Sequence, residues 1–353
     1  MALRDDILRA GLDAMYLAGL HRAFPSRWAG LGLVFMLHHI RPPGRPGDPF
    51  RPNAGLEVTP EFLDAVLERL RARGIAMISL AEAVDRLQRG GGGDGRFAVF
   101  TIDDGYLDNH EHAWPLFRAH GCPFTVFVTT GIVDGTTELW WLALEEIIRE
   151  NGEVAADAGS GVETFDTASL AGKRRAYARI YGHLRTCGEA AQRRAIRALA
   201  ERYGLDLAAL TRREAMTWDH VREMAADPLV TIGAHTLDHL AVGRLDRDAA
   251  WTEIAGSADR IARETGRRPE FFCYPYGDPA SAGPRDFALV AEAGYRAAVT
   301  TRKGLLFPEH AGHLTALPRV SLNGGFQDLR YIDLYLSGAP FALWNGFRRL
   351  HAA

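Results

Sequence analysis

Short apolar runs rich in β-branched and aromatic residues recur along the chain and alternate with segments of helical periodicity. Mostly apolar runs of this length are typical of strands that are covered on both faces, as in a parallel sheet. The pattern predicts strands at Gly32–Leu37, Ala76–Ser79, Phe97–Ile102, Phe124–Thr129, Leu229–Gly233, Phe271–Tyr274, Ala297–Thr300 and Leu317–Ser321. Because helices are predicted between most of them, we expect an α/β protein, either a single barrel or a doubly wound sheet.

Two predicted helices have clear signals. Pro60–Arg73 follows the capping residue Thr59 and ends before Gly74, and its apolar residues fall on one stripe. Ala249–Thr265 has a similar spacing of apolar residues. The glycine-rich segment Gly90–Gly95 is predicted to be a flexible surface loop before a strand.

The same pattern suggests how the chain is divided. Residues 1–30 are predicted to be an amphipathic helical segment, residues 31–330 the barrel, and residues 331–353 a helical tail. A long insertion at about 136–216 interrupts the alternation of strands and helices. We interpret it as a mostly helical cap beside the mouth of the barrel.

Composition excludes several classes of protein. The 353 residues have a formal net charge of -3, so neither nucleic acid nor an anionic membrane is predicted as a partner, and a neutral or weakly polar substrate fits better. Three cysteines at wide spacing form no disulfide framework. Charged residues interrupt the first twenty positions, which argues against a signal peptide, and no apolar run is long enough to span a bilayer. The cytoplasm is therefore the expected location, although the N-terminal helix leaves peripheral membrane association open.

Candidate chemistry lies where strands are predicted to end. Phe97–Ile102 is followed by Asp103, Asp104 and Gly105. In α/β folds the active site gathers at the carboxyl ends of the strands, and adjacent side chains diverge there. One aspartate could therefore bind a metal while the other faces the substrate. By itself Asp-Asp-Gly is also typical of a polar turn.

Two further strand ends carry polar or aromatic motifs. His235 and His239 follow Leu229–Gly233, and two histidines four residues apart can bind one divalent metal if the segment is helical or tightly turned. With Asp104 they would form a two-histidine, one-carboxylate site. The strand Phe271–Tyr274 runs into Pro275, Tyr276 and Gly277, where free backbone N–H groups could stabilise an oxyanion. Each motif alone has an ordinary structural interpretation.

Together, and in this order, the three motifs resemble those of the polysaccharide deacetylase family, whose domain is also called the NodB-homology domain. The resemblance covers roughly residues 32–321 without most of the insertion. It implies a distorted (β/α) barrel and a divalent metal ion, usually zinc, held by Asp104, His235 and His239. It also implies that Asp103 is the catalytic base, that Thr236 supports the histidine loop and that the backbone of Tyr276 helps to bind the oxyanion.

The chain departs from the family pattern in two places. Cys273 stands where many members have an arginine, and the late strand Leu317–Ser321 lacks the histidine that protonates the leaving amine in many members. A branch of the family carries that histidine at the end of the first strand instead, where this chain has His38 and His39. The resemblance therefore makes His38 the candidate acid, with His39 second. Arg319 in the late strand is a candidate to replace the lost arginine beside Asp103, or to contact substrate.

The expected activity is hydrolysis of the N-acetyl group of an N-acetylated amino sugar in an oligosaccharide or polysaccharide. Tyr106 and Trp141 could stack on sugar faces, and Pro275 is a further candidate substrate contact, although aromatic residues more often pack in a core. Two alternatives stay open. One is a metal amidohydrolase of the same fold that acts on a non-carbohydrate amide, and the other is a catalytically silent glycan-binding protein.

Overall fold

The computed structural model describes residues 2–44, 48–90 and 95–349. Most of the predicted glycine-rich loop, at 91–94, and the last residues of the predicted C-terminal tail, 350–353, lie outside the described residues. The strands are β1 Gly32–Leu37, β2 His39–Ile40, β3 Glu57–Val58, β4 Ala76–Met77, β5 Phe97–Ile102, β6 Phe124–Val128, β7 Glu153–Asp157, β8 Val162–Asp166, β9 Val230–Ala234, β10 Phe271–Cys273, β11 Ala297–Lys303 and β12 Leu317–Ser321.

Helices cover the outside of the sheet and form most of the insertion. They are α1 Ala2–Leu17, α2 Leu20–Ala23, α3 Pro60–Ala72, α4 Leu80–Gln88, α5 Trp114–Ala119, α6 Thr130–Val133, α7 Trp140–Glu150, α8 Leu170–Leu184, α9 Glu189–Tyr203, α10 Leu207–Glu214, α11 Trp218–Ala225, α12 Arg247–Thr265, α13 Pro284–Glu292, α14 Leu329–Ser337 and α15 Ala339–Trp344. None of the described helices is both long enough and apolar enough to cross a lipid bilayer.

Seven parallel strands close into a barrel. The strand order is β1, β12, β11, β10, β9, β6 and β5, and β5 pairs again with β1 from Gly32↔Phe97 to Leu37↔Ile102. Strand β4 adds a short pairing to β5. The structure is therefore the predicted barrel rather than an open, doubly wound sheet. The pairing between β9 and β10 is limited to Phe272↔Ala234, which makes the barrel irregular.

Alternate residues of the barrel strands belong to two apolar cores, because successive side chains of a strand point to opposite faces. In β5, Phe97 and Val99 cluster with residues of the other barrel strands in the interior. Ala98 and Phe100 cluster with apolar residues of the surrounding helices. All six residues of β5 are buried, as expected for a strand covered on both sides.

All eight predicted strands are present, with ends that differ by up to three residues. The capping of α3 is also confirmed, since Thr59 Oγ1 accepts a hydrogen bond from Phe62 N and Pro60 begins the helix. The insertion, which is predicted to be mostly helical, contains α7 to α10 but also the antiparallel hairpin of β7 and β8. The hairpin was not predicted, because β7 is rich in alanine and acidic residues, and β8, although it contains Val162, Thr164 and Phe165, has no continuous apolar run.

The insertion has an apolar core of its own, which reaches the barrel mouth. Helices α7, α8, α9 and α10 and strand β7 contribute to this core, together with Tyr106 of the loop after β5. Because the barrel strands are parallel, their carboxyl ends lie at the same end of the barrel. The three motifs directly follow those strand ends.

Candidate active site

The backbone at the three strand ends adopts conformations that L-residues rarely use. Five non-glycine residues of the described chain have a positive φ, and four of them lie at the motifs: Asp104, Thr236, His239 and Tyr276, with φ of 78°, 65°, 58° and 62°. Such backbone is unfavourable by about 1–3 kcal/mol per residue and persists where the surrounding structure enforces it. The clustering of strained residues at one end of the barrel therefore marks it as a candidate functional site.

Three predicted ligands converge in a buried position. The Nε2 atoms of His235 and His239 lie 3.3 and 3.2 Å from the same oxygen, Oδ1 of Asp104. The two histidines are not on a helix; they lie in a tight loop after β9 in which Thr236 and His239 are left-handed. That loop brings the two ring centroids to 5.1 Å from each other.

The donor set fits a divalent cation. His235 Nδ1 lies 2.7 Å from the backbone oxygen of Cys273, which can only accept, so Nδ1 carries a proton and Nε2, whose lone pair is available when the ring is neutral, faces Asp104. Asp104 Oδ1 is buried without a well-formed hydrogen bond. With Zn–N and Zn–O bonds of about 2.0–2.2 Å, ligand atoms at tetrahedral positions are about 3.4 Å apart, close to the observed separations.

A proton can occupy the space between Asp104 and the two histidines in place of a metal ion. Burial opposes ionisation of Asp104, but His239 and His235 outweigh it and hold the pKa of this carboxyl well below its usual range. Burial likewise lowers the pKa of His235, but its contacts with Cys273 and Asp104 raise that pKa well above its ordinary value. Binding of a cation is therefore coupled to release of a proton.

Asp103 forms a buried ion pair with Arg319. Two guanidinium nitrogens of Arg319 donate to the two oxygens of Asp103, each at 2.7 Å, and the side chains are 0% and 2% exposed. Arg319 also donates to Thr101 Oγ1 and to the backbone oxygen of Thr300, at 3.0 and 2.9 Å. Burial raises the pKa of Asp103, but the charge and hydrogen bonds of Arg319 outweigh it and keep the pKa below the ordinary value.

Cys273 occupies the space between this ion pair and the histidine loop. Its Sγ lies 3.1 Å from Arg319 Nη2 and 3.4 Å from Asp103 Oδ2. Among the described residues, Asp103, His235 and Cys273 form a second group of potential metal ligands. The guanidinium on Asp103 disfavours a cation there, so Asp104, His235 and His239 are the better site.

The two candidate acids lie in different environments. His38 Nε2 is 3.9 Å from Asp103 Oδ2, and the side chain is 18% exposed. His39 is buried, its Nδ1 is 2.6 Å from Asp108 Oδ2, and its ring stacks on Tyr106 at 3.6 Å. Of the two, His38 is therefore the one beside Asp103. Burial lowers the pKa of His38, against the opposing effect of the two aspartates.

Tyr276 lines the candidate site beside His239. Its ring contacts that of His239 at a centroid distance of 4.9 Å, and its backbone oxygen accepts from Thr301 Oγ1 at 2.6 Å. No acceptor for its backbone N–H occurs in the described ranges. Gly277 is required next in the chain, because φ is +56° and a Cβ would lie 2.6 Å from Thr301 N.

Three predicted substrate contacts are buried. Trp141 is 5% exposed, packs 4.9 Å from His239 and donates from Nε1 to the hydroxyl of Tyr106, which is fully buried. Pro275 is buried before Tyr276. The structure thus brings Trp141 to the candidate ligand His239 and Tyr106 to Trp141, and their contact with substrate stays a prediction. The same holds for substrate contact by Arg319.

The sequence analysis did not identify Glu253, which forms a hydrogen bond with the backbone of the histidine loop. Glu253 Oε2 accepts from the backbone N–H of Asp238 at 2.9 Å, and burial raises the pKa of Glu253 to about 7. Asp238 in turn accepts a hydrogen bond from Thr137 Oγ1 of the insertion at 2.5 Å. A carboxylate on the apolar face of α12, next to Ile254, was the available signal.

Comparisons with known proteins agree with this geometry. A family model described as polysaccharide deacetylase matches residues 90–298, which is more than half of the chain. No protein with a curated description matches the chain significantly by sequence.

Several solved structures share the fold. The Streptococcus pyogenes deacetylase PplD, solved in complex with acetate, is 17% identical with a TM-score of 0.54, over 83% of this chain and 92% of that one. IcaB from Ammonifex degensii is 17% identical with a TM-score of 0.54, over 87% and 97% of the two chains. A de-N-acetylase from Aggregatibacter actinomycetemcomitans is 13% identical with a TM-score of 0.54, over 86% and 99%. At these identities the likeness shows the fold alone.

Proposed function

Because the chain belongs to the polysaccharide deacetylase family, we propose that it hydrolyses the N-acetyl group of an N-acetylated amino sugar in an oligosaccharide or polysaccharide, with a divalent metal ion. The observation that carries this proposal is the convergence of Asp104, His235 and His239 beside an ionised Asp103. A protein that only binds glycans needs no buried carboxylate held in its basic form.

The ligand residues prepare the site for an acetamide. When bound by Asp104, His235 and His239, a divalent ion, for which zinc is the best candidate, supplies positive charge that polarises a carbonyl and makes water more acidic. The unpaired N–H of Tyr276 can donate to the oxygen that becomes negative when the acetyl carbon is attacked.

Two other side chains move the protons. Asp103, held ionised by Arg319, takes a proton from the attacking water as its oxygen bonds to the acetyl carbon. His38, in its protonated form, gives a proton to the sugar nitrogen as the carbon–nitrogen bond breaks. The products are acetate and a free amino sugar, and deprotonation of Asp103 and protonation of His38 restore the site.

The test is acetate release from N-acetylglucosamine oligomers by the metal-replete protein. We expect a chelator to abolish release and added Zn²⁺ to restore it. Asp103→Asn is expected to lower the rate by about 10²–10⁴-fold, the usual contribution of a general base, while metal stays bound. Asp219→Asn is the matched control, because the Asp219 side chain is 86% exposed on α11, and it should not change the rate.

Two results would overturn the proposal. One is an Asp103→Asn variant that is as active as the Asp219→Asn control. The other is metal-replete protein that releases no acetate from any N-acetylated oligosaccharide. Acetate release from small non-carbohydrate amides, without release from sugars, would assign the site to an amidohydrolase instead.

A further inference from the structure

Two helices of the insertion carry a local excess of positive charge. Residues 173–202, which include most of α8 and α9, contain nine lysines and arginines and two glutamates, whereas the whole chain has a net charge of -3. The remainder of the chain is therefore acidic. Side chains of one charge sign that cluster on a surface create a potential that acts beyond individual contacts.

The positive side chains face outward. Tyr177 and Ile180 of α8 and Ile196 and Leu199 of α9 are buried in the same apolar core as α7. Six arginines of these two helices are exposed, and together we call them the α8–α9 basic face: Arg174, Arg175, Arg179, Arg194, Arg197 and Arg202.

Most of this charge is not neutralised within the described chain. Arg179 and Arg197 each pair with a glutamate. Arg174 and Arg202 donate to backbone oxygens, which do not neutralise the charge of a guanidinium group. For Arg175 and Arg194, the described ranges provide no side-chain partner. Four of the six guanidinium groups thus lack an acidic partner among the residues that the structure describes.

The C-terminal end of α8 and the first turns of α9 border the active site. Arg185, just beyond α8, has its guanidinium carbon 3.4 Å from the ring centroid of Tyr276. Arg193 of α9 donates to the backbone oxygen of Asp238, next to the ligand His239, at 3.4 Å. From this end, the 15 residues of α8 extend for about 22 Å, which is several sugar units long.

We propose that the α8–α9 basic face binds an acidic glycan, so that the N-acetylated substrate also carries carboxylate or phosphate groups. This inference rests on the proposed function and specifies the substrate class of that same site. Arginine recognises carboxylate and phosphate through paired hydrogen bonds, and exposed arginines offer little to a neutral polymer. A basic face beside the mouth raises the local concentration of an acidic chain and thereby its rate of capture.

The test compares two oligosaccharides of equal length. One is a homopolymer of N-acetylglucosamine, and the other alternates N-acetylglucosamine with glucuronic acid. The basic-face variant is Arg174→Glu/Arg175→Glu/Arg194→Glu. The matched control is Arg71→Glu/Arg263→Glu/Arg267→Glu, which reverses three exposed arginines on α3 and at the end of α12.

The measured quantity is kcat/KM for acetate release at about 0.05 M and about 0.5 M NaCl, where screening becomes strong. For the acidic oligosaccharide at low salt we expect the basic-face variant to lose about tenfold or more, because electrostatic steering contributes about 10–10³-fold. High salt should abolish this difference in kcat/KM between wild type and the basic-face variant. The control variant should stay within about twofold of wild type, and the neutral oligosaccharide should be insensitive to both variants.

Equal losses in the basic-face and control variants, or equal losses on both substrates, would overturn the inference. Binding of a fluorescent acidic oligosaccharide, followed by anisotropy, tests the face without turnover. If wild type binds the acidic oligosaccharide and the basic-face variant does not, the assignment of the basic face as a glycan-binding surface is supported. This holds even if no acetate is released and the proposed function is wrong. Binding to phosphatidylglycerol vesicles, without binding to the acidic glycan, would overturn it in favour of a membrane surface.

Discussion

Replacing Arg319 by methionine removes the guanidinium that pairs with Asp103 while keeping an unbranched side chain in its place. Both partners are almost completely buried, and the pair is bidentate at 2.7 Å. Loss of one partner of a buried ion pair leaves an uncompensated charge and costs about 3–5 kcal/mol. We therefore expect Arg319→Met to lower the free energy of unfolding by about that amount.

A double-mutant cycle separates the ion pair from other effects of the substitution. Asp103→Asn/Arg319→Met removes both charges, so it should recover at least about 2 kcal/mol of the loss, which is a coupling typical of contacting residues. The control is Arg247→Met, which breaks a pair in which Nη2 of Arg247 donates to both carboxylate oxygens of Glu292 and both side chains are more than half exposed. That change should cost less than about 1 kcal/mol.

The assay is urea unfolding of the four proteins of the cycle and the control, together with the pH dependence of acetate release. Because Arg319 lowers the pKa of Asp103, its removal raises that pKa. The base is then protonated at higher pH, and the acidic limb of the activity profile should move upward. A loss no larger than that of Arg247→Met, or a double variant no more stable than Arg319→Met, would refute this account of the pair.

Further predictions concern the metal ligands and the histidine loop. His239→Ala should lose bound metal by elemental analysis because one of three ligands is missing, whereas His313→Ala, at an exposed position, should keep it. Unchanged metal in His239→Ala would exclude the ligand set. Burial raises the pKa of Glu253 from 4.5 to about 7, so the folded protein keeps a proton that the unfolded chain loses, and stability should fall by about 3 kcal/mol as pH rises from below 4.5 to above 7. Glu253→Gln should remove this part of the pH dependence of urea unfolding, and an unchanged pH dependence would contradict it.

The strands and the meeting of the motifs could be predicted from the sequence, for a definite physical reason. Apolar runs identify buried strands, and parallel strands bring their carboxyl ends to one side. Asp104 and the two histidines could therefore be expected to lie close together although 131 positions separate Asp104 from His235. Their separations of 3.2–3.3 Å confirm that they meet.

Other features depend on information that a single sequence does not carry. The pairing of Arg319 with Asp103 requires the register of β12 against β11 and the closure of the barrel through β1. The left-handed backbone of Thr236 and His239 has no compositional signal, because neither is a glycine. The contact of Glu253 with the histidine loop likewise depends on how α12 packs.

Anomalous diffraction at the absorption edge of the bound metal, from crystals of the metal-replete protein, tests the central claim most directly. The account predicts a single strong peak about 2.0–2.2 Å from Asp104 Oδ1, His235 Nε2 and His239 Nε2, with Asp103 paired to Arg319 and outside the coordination shell. A peak bound instead by Asp103, His235 and Cys273, or no peak at the barrel mouth, would contradict it.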